Sequence, residues 1–334
     1  MRWSQALNVA LLGVALTLMA VVMTSGARPD RRPPTVSHGL TFEVPTVALP
    51  DGTMAVVDAS GRVVPIRRYE RVLAASTTSA SIVSQLLEPE RVVGYTDYAR
   101  TRALDSWRYA GRPGIDRMQD IEGILAMRPD LVLMNTVGDS PPIERLRELG
   151  VEVFDLGPMR GVETWVDQIL RATTVLDVPE RGHRYAGQFL RRMATAACHP
   201  PSADARIMYL SVYGDRFYGG TAGTSYADVM RYAGVHDVAA ARFREWPEYA
   251  TEHVLSLDPP WILTASGMAD RICGHSALGS LQACTHDPPR IVEIHGGLLS
   301  DPGEGMLEAT ELLHDAIYGP CALRNRPGDT NADP

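Results

Sequence analysis

From residue 54 onward the chain alternates short apolar runs with longer segments in which apolar residues recur every three or four positions. Runs of the first kind describe buried strands; segments of the second describe helices with one face on a core. Met54–Val64 reads as a hairpin: Met-Ala-Val-Val, a turn at Asp58-Ala59-Ser60-Gly61, then Arg-Val-Val. Strands are expected at Arg71–Ala75, Arg91–Tyr95, Leu131–Met134 and Val151–Asp155, with helices at Ser79–Leu87, Asp120–Met127 and Pro142–Leu149. Between residues 162 and 197 the rhythm breaks, because Val162–Leu176 and Pro179–Ala197 are both helical and no strand separates them. Pro179 suits a first helical turn, where its missing N–H is not needed, and Glu180 beside it is favoured by the helix dipole. The alternation then resumes, with strands at Arg206–Tyr213, Trp261–Thr264 and Arg290–His295 and helices at Ser225–Ala233, Thr251–Leu257 and Gly305–Tyr318. Such alternation predicts an α/β fold with mainly parallel sheets covered on both faces.

The two halves also repeat one another. Glu122-Gly-Ile-Leu-Ala-Met-Arg-Pro129-Asp-Leu-Val-Leu133 aligns without a gap on Glu252-His-Val-Leu-Ser-Leu-Asp-Pro259-Pro-Trp-Ile-Leu263. The shared content is a short helix, a proline that ends it, and a buried strand. A glutamate at the same helical position in both copies argues for two similar lobes. The expected architecture is therefore two lobes, 54–160 and 200–320, joined by the helices of 161–199 with a single long backbone helix, and a ligand cleft between the lobes. Residues 321–334 form a tail.

Ahead of the fold, an apolar run from Ala6 to Met23 follows Arg2 and ends at small residues Ser25 and Ala27. That is the pattern of a secretory signal, and the run is also long enough to stay in a membrane as an anchor. Residues 1–27 are thus expected to export the chain to a periplasmic or other extracytoplasmic location, with membrane contact only if the segment is uncleaved. Residues 28–53 read as a linker. The four cysteines, Cys198, Cys273, Cys284 and Cys321, fit an oxidising compartment. A Cys273–Cys284 bridge closing a small loop is the simpler reading, leaving Cys198 and Cys321 for the other; connectivity is not fixed by sequence.

The balance of 32 basic against 40 acidic residues gives a net charge of -8, opposite in sign to the footprint of a nucleic-acid binder. Every basic residue is arginine. Without lysine there is no Schiff-base chemistry and no P-loop lysine, which removes several enzyme classes.

Several segments, in the right order, resemble the periplasmic substrate-binding proteins of iron-siderophore, haem and vitamin B12 ABC importers, the bilobal class with a helical backbone. Val57–Pro65 is similar to that family's opening hairpin; Arg71–Ala74 and Arg91–Tyr98 are similar to its first core strands and a ligand-facing loop. Ile121–Leu133 is the most specific stretch, and Trp246-Pro247 before Glu252-His-Val-Leu is similar to the vitamin B12 binder. The resemblance covers about residues 54–319. It implies a non-enzymatic, monomeric protein without a cofactor that captures a ferric siderophore or corrinoid, with haem as the alternative ligand, and hands it to a permease dimer. Glu122 and Glu252 match the family's two transporter-docking glutamates, which engage arginines of the permease. No cysteine follows the apolar run, so the lipid anchor of many bacterial relatives is not indicated.

Ligand contacts are expected on loops at the carboxyl ends of parallel strands. These loops nominate Thr77, Tyr98, Asn135, Tyr213, Tyr218, Trp246 and His295, and place Arg100, Arg112 and Arg216 nearby. The resemblance extends to Tyr98, Tyr218 and Trp246 as aromatic contact positions, and aromatic faces suit a large planar ligand. Arginines suit carboxylates or an anionic chelate. Two competing chemistries are visible. Cys273-Gly-His275 and Cys284-Thr-His286 make a Cys-x-His pair of pairs of unusual spacing for zinc. Gly223-Thr-Ser225-Tyr-Ala227 lies one residue from a hydrolase nucleophile elbow, with His295 or His314 as partner; Ser225 is better explained as a helix cap, some ten loop residues beyond its strand.

Overall fold

The structure, a computed structural model, describes residues 43–321 apart from 102, 104–105, 117–119, 136–140, 199–204 and 301–302. The apolar leader, the first part of the expected linker and the tail after Cys321 lie outside the described residues.

Three short strands come first: β1 (Thr46–Ala48), β2 (Met54–Val57) and β3 (Val63–Pro65), antiparallel in the order β1-β2-β3. The hairpin lies where the turn residues predict it. The segment read as linker contributes β1, whose residues are all exposed, so no burial pattern marked it. The next five strands are β4 (Val72–Ala74), β5 (Val92–Thr96), β6 (Gly114–Ile115), β7 (Leu131–Met134) and β8 (Val153–Asp155). They form one parallel sheet in the order β6-β5-β4-β7-β8. β4 and β7 are buried at every position, as strands covered on both faces must be.

The helices Val162–Val175 and Pro179–Thr195 then lead into the second lobe, packed on one another. Their contact is close because Gly182 has no side chain: a Cβ there would lie 1.9 Å from the Thr173 hydroxyl. Trp165 and Phe189 meet edge to face between them, ring centroids 6.4 Å apart. Both belong to a hydrophobic core that runs without a break from Val56 in the hairpin to Leu313 in the last helix.

The second half contains β9 (Arg206–Tyr209), β10 (Ser211–Tyr213), β11 (Arg216–Tyr218), β12 (His236–Asp237), β13 (Glu248–Tyr249), β14 (Trp261–Ala265) and β15 (Ile291–Ile294). A parallel sheet takes the order β12-β9-β14-β15, and a small antiparallel sheet takes β10-β11-β13. The single strand expected over Arg206–Tyr213 is thus two. Its first part, with Leu210, bonds to β14. Beyond Leu210 the chain leaves that sheet and folds back through Gly214 (φ 59) onto β11. Burial on both faces up to Leu210, then an exposed Tyr213, is the trace of that switch. The two-residue strands β6, β12 and β13 are too short to carry a period and were not legible.

Candidate functional site

In both parallel sheets the carboxyl ends of the strands open into loops, and most nominated residues stand there. Thr77 is exposed at the start of the Thr77–Leu86 helix, directly after β4. That helix starts at Ser76, whose side chain accepts from Ser79 N while Ser79 returns the bond. Ser76 also donates to Asn135 Oδ1 at 2.7 Å, and Asn135 Nδ2 donates to Gly157 O at 2.9 Å and Gln168 Oε1 at 3.1 Å. Asn135 therefore stitches together the loops after β4, β7 and β8, and its amide is engaged by protein on both ends. Tyr98 follows β5 on the Asp97–Thr101 helix and is 50% exposed. Arg100 on the same turn is held by Asp97 at 2.5 Å.

The second lobe presents an aromatic wall. Tyr213, 70% exposed, meets Tyr218 edge to face at 6.0 Å. Beneath them Tyr209 and Tyr226 stack at 4.1 Å, and burial raises the pKa of both phenols, which stay neutral. Tyr226 was not foreseen; it sits inside the helix Ser225–Tyr232, and only the fold brings it under β9. Trp246, 51% exposed, stands at the entry to β13, where Gly219 N donates to Pro247 O at 2.9 Å. Arg216 is exposed and pairs with Glu248 at 3.4 Å. His295 follows β15, is exposed, and accepts from Gly297 N at 3.1 Å. Arg112 stands beside Val92, Tyr95 and Trp107 in a concavity of the first lobe.

Among the described residues, three polar ties fasten the second lobe to the first lobe and the bridging helices, and sequence reasoning reached none of them. Arg160, in the loop after β8, pairs with Glu245 at 2.5 Å, next to Trp246. Asp228 of the second lobe accepts from Val162 N at 2.7 Å, capping the first bridging helix from across the junction, and pairs with Arg231 at 2.7 Å. Gly161 permits this: its φ is 151°, and a Cβ would lie 2.2 Å from the Asp228 carboxylate. Glu304, at the head of the last helix, accepts from Gln85 at 2.6 Å, from Arg108 at 3.2 Å and from the Tyr185 hydroxyl. Each tie joins residues separated by 66 or more positions, so no local pattern announces them.

Glu122 and Glu252 are both the second residue of a short helix, and both are exposed. Asp120 caps the first helix by accepting from Gly123 N at 2.9 Å; at the second, His253 Nδ1 accepts from Ala250 N at 3.3 Å. The first-turn position stabilises a carboxylate.

Neither competing chemistry is assembled. Cys273 and Cys284 are bonded to one another, as are Cys198 and Cys321, so no thiolate remains for zinc. Ser225 is the first helical residue; the cap is Thr224. Ser225 makes no hydrogen bond to a histidine among the described residues: His314 Nδ1 faces Ala233 O and His295 faces Gly297.

The sequence profile of the family described as periplasmic binding protein matches residues 72–287. A cobalamin-binding protein of Halobacterium salinarum is 24% identical over 206 residues, 61% of this chain and 55% of that protein. The chain thus spans about half the length of the curated relatives it matches. Among solved structures, a possible iron-binding (periplasmic solute-binding) protein from Staphylococcus epidermidis superposes with a TM-score of 0.66 at 15% identity, over 75% of this chain and 100% of that one. The periplasmic heme-binding protein RhuT from Roseiflexus sp. RS-1 gives 0.61 at 22% identity, over 74% and 98%. With two mainly parallel sheets joined through a helical bridge and the family profile matched over most of both lobes, the chain belongs to the periplasmic binding protein family.

Proposed function

We propose that this protein captures a metal chelate, a corrinoid or a ferric siderophore, outside the cytoplasm and delivers it to an ABC importer. The family and the fold are those of binding proteins rather than enzymes. The observation that carries the ligand class is the set of large aromatic side chains left exposed where each sheet's carboxyl-end loops open: Tyr98 on one lobe, Tyr213 and Trp246 on the other. Exposed aromatics of this size are ordinarily covered, and they suit a broad, partly apolar, planar ligand better than a sugar or amino acid. The curated relative that binds cobalamin favours the corrinoid within that class. Haem is the second reading, favoured by the heme-binding neighbours in fold.

Delivery rests on Glu122 and Glu252. They occupy equivalent places in an internal repeat, are exposed, and have no ion-pair partner among the described residues. Two such carboxylates, one per lobe, suit a permease dimer that offers arginines. No helix among the described residues is long and apolar enough to cross a membrane; the apolar leader expected from the sequence supports a location outside the cytoplasm, whether it is cleaved or kept as an anchor.

Tryptophan fluorescence titration against cobalamin, a panel of ferric siderophores and haemin tests the ligand class. Quenching with saturation by one of them is expected, and Trp246→Ala should weaken that ligand about tenfold or more. No response to any chelate, with saturable binding of a sugar or amino acid instead, would sink the proposal.

A further inference from the structure

Apart from the cleft, the first lobe carries a concavity of about 420 Å³, within the ~300–1,000 Å³ that small-molecule pockets occupy. Val83, Leu87, Val92 and Tyr95 give its lining an apolar part, and Trp107 and Arg112 line it beside them. Tyr98, Tyr213, Tyr218, Trp246 and His295 do not line it. It runs from Trp107, Arg108 and Arg112, on the connection that follows β5, to Leu87 and Val92 at the amino-terminal end of that strand.

Its chemistry is specific. Arg112 has no acidic partner among the described residues, although it stands close enough to Tyr95 to oppose the rise that burial imposes on that phenol. The Tyr95 ring is fixed from behind by Tyr109, centroids 4.7 Å apart. Trp107 is 72% exposed, with the Arg108 guanidinium 5.4 Å from its ring. A guanidinium without a carboxylate, next to an apolar lining and an exposed indole, matches an anion with a planar apolar body. Gln85 and Arg108 also border the pocket, and both donate to Glu304 of the second lobe.

The geometry points to a binding site for a small aromatic carboxylate, its carboxylate on Arg112 and Arg108 and its ring on the apolar part of the lining beside Trp107. Glu304 is its competitor within the fold. A carboxylate in the pocket draws Arg108 away from Glu304, and Glu304 is also bonded to Tyr185 of the bridging helix. Occupancy of the pocket therefore loosens one of those three ties.

The test is a calorimetric titration of the full chain with 1-naphthoate, using 1-naphthamide as an uncharged ligand of the same shape. The naphthoate should bind about tenfold more tightly than the amide, the difference a charge-assisted arginine contact makes. Arg112→Gln should shrink that difference to the part that Arg108 supplies, about threefold or less, while the thermal midpoint stays in place. Glu304→Gln should tighten naphthoate several-fold by removing the competing charge. Equal binding of acid and amide, absence of naphthoate binding, or unchanged affinity in Arg112→Gln overturns the site; unchanged affinity in Glu304→Gln overturns the competition. The probe is unrelated to the chelate panel, so failure here and failure of the proposed function are read separately.

Discussion

Removing the Asp58 carboxylate should unfasten the opening hairpin from the first lobe. The side chain is fully buried and accepts five hydrogen bonds. Oδ1 takes Ser60 N, Ser60 Oγ and Arg62 N at 2.8–2.9 Å, which shapes the turn. Oδ2 takes Arg147 at 2.7 Å and Asp155 N at 3.2 Å, which binds the turn to the edge strand β8. In Asp58→Ala the Ser60 and Arg62 amides can turn to water, since both residues are exposed. The Asp155 amide cannot, because it is buried, and Arg147 loses its buried partner while keeping Glu144 at 2.9 Å. Breaking a buried pair costs ~3–5 kcal/mol, and the retained Glu144 contact puts this case near ~3 kcal/mol. For a chain of this size that is a fall of about 4–5 °C in Tm. Thermal melts followed by circular dichroism, with urea midpoints beside them, measure it. Asp58→Asn keeps the Oδ1 acceptor and should recover part of the loss. A fall below about 2 °C in Asp58→Ala would show that this carboxylate is not what holds the hairpin to the lobe.

Three further outcomes are expected. Glu122→Arg and Glu252→Arg should leave chelate affinity unchanged and reduce transport, most in the double variant, since truncating a desolvated interface charge pair costs ~2–5 kcal/mol; normal uptake by the double variant in a transport assay would remove the docking role. The Glu88 carboxyl is pulled from 4.5 down to about 2, chiefly by its own backbone amide and then by hydrogen bonds from Arg91 and Arg181. Its contribution is complete above pH 4.5 and lost as the pH falls through about 2, so melts across that window should drop less steeply in Glu88→Gln. Gly161→Ala should lower the urea midpoint by the equivalent of ~1–3 kcal/mol, because the new methyl meets Asp228 at 2.2 Å; an unchanged midpoint would mean that this cap is dispensable.

Much of the architecture was legible because strands buried on both faces and helices buried on one write their period into the chain. Val72–Ala74, Leu131–Met134 and the two helices around Pro179 lie within a few residues of their expected places. The repeat around Glu122 and Glu252 was also local, since a helix, its proline stop and the next strand are consecutive in sequence. What remained hidden has two physical causes. Strands of two residues, such as β6 and β12, are too short to express a period, and β1 is exposed throughout. The other cause is distance along the chain. Asn135, nominated as a ligand contact, also bonds Gly157 and Gln168 from other loops, and Tyr226, one more helical residue in the sequence, stacks on Tyr209. Asp228 capping Val162, Glu245 holding Arg160 and Glu304 gathering Gln85, Arg108 and Tyr185 are pairings between ordinary charged residues whose neighbours in sequence say nothing about them. Periodicity determines which residues face a core, whereas only the closing of long loops determines which polar groups meet across it.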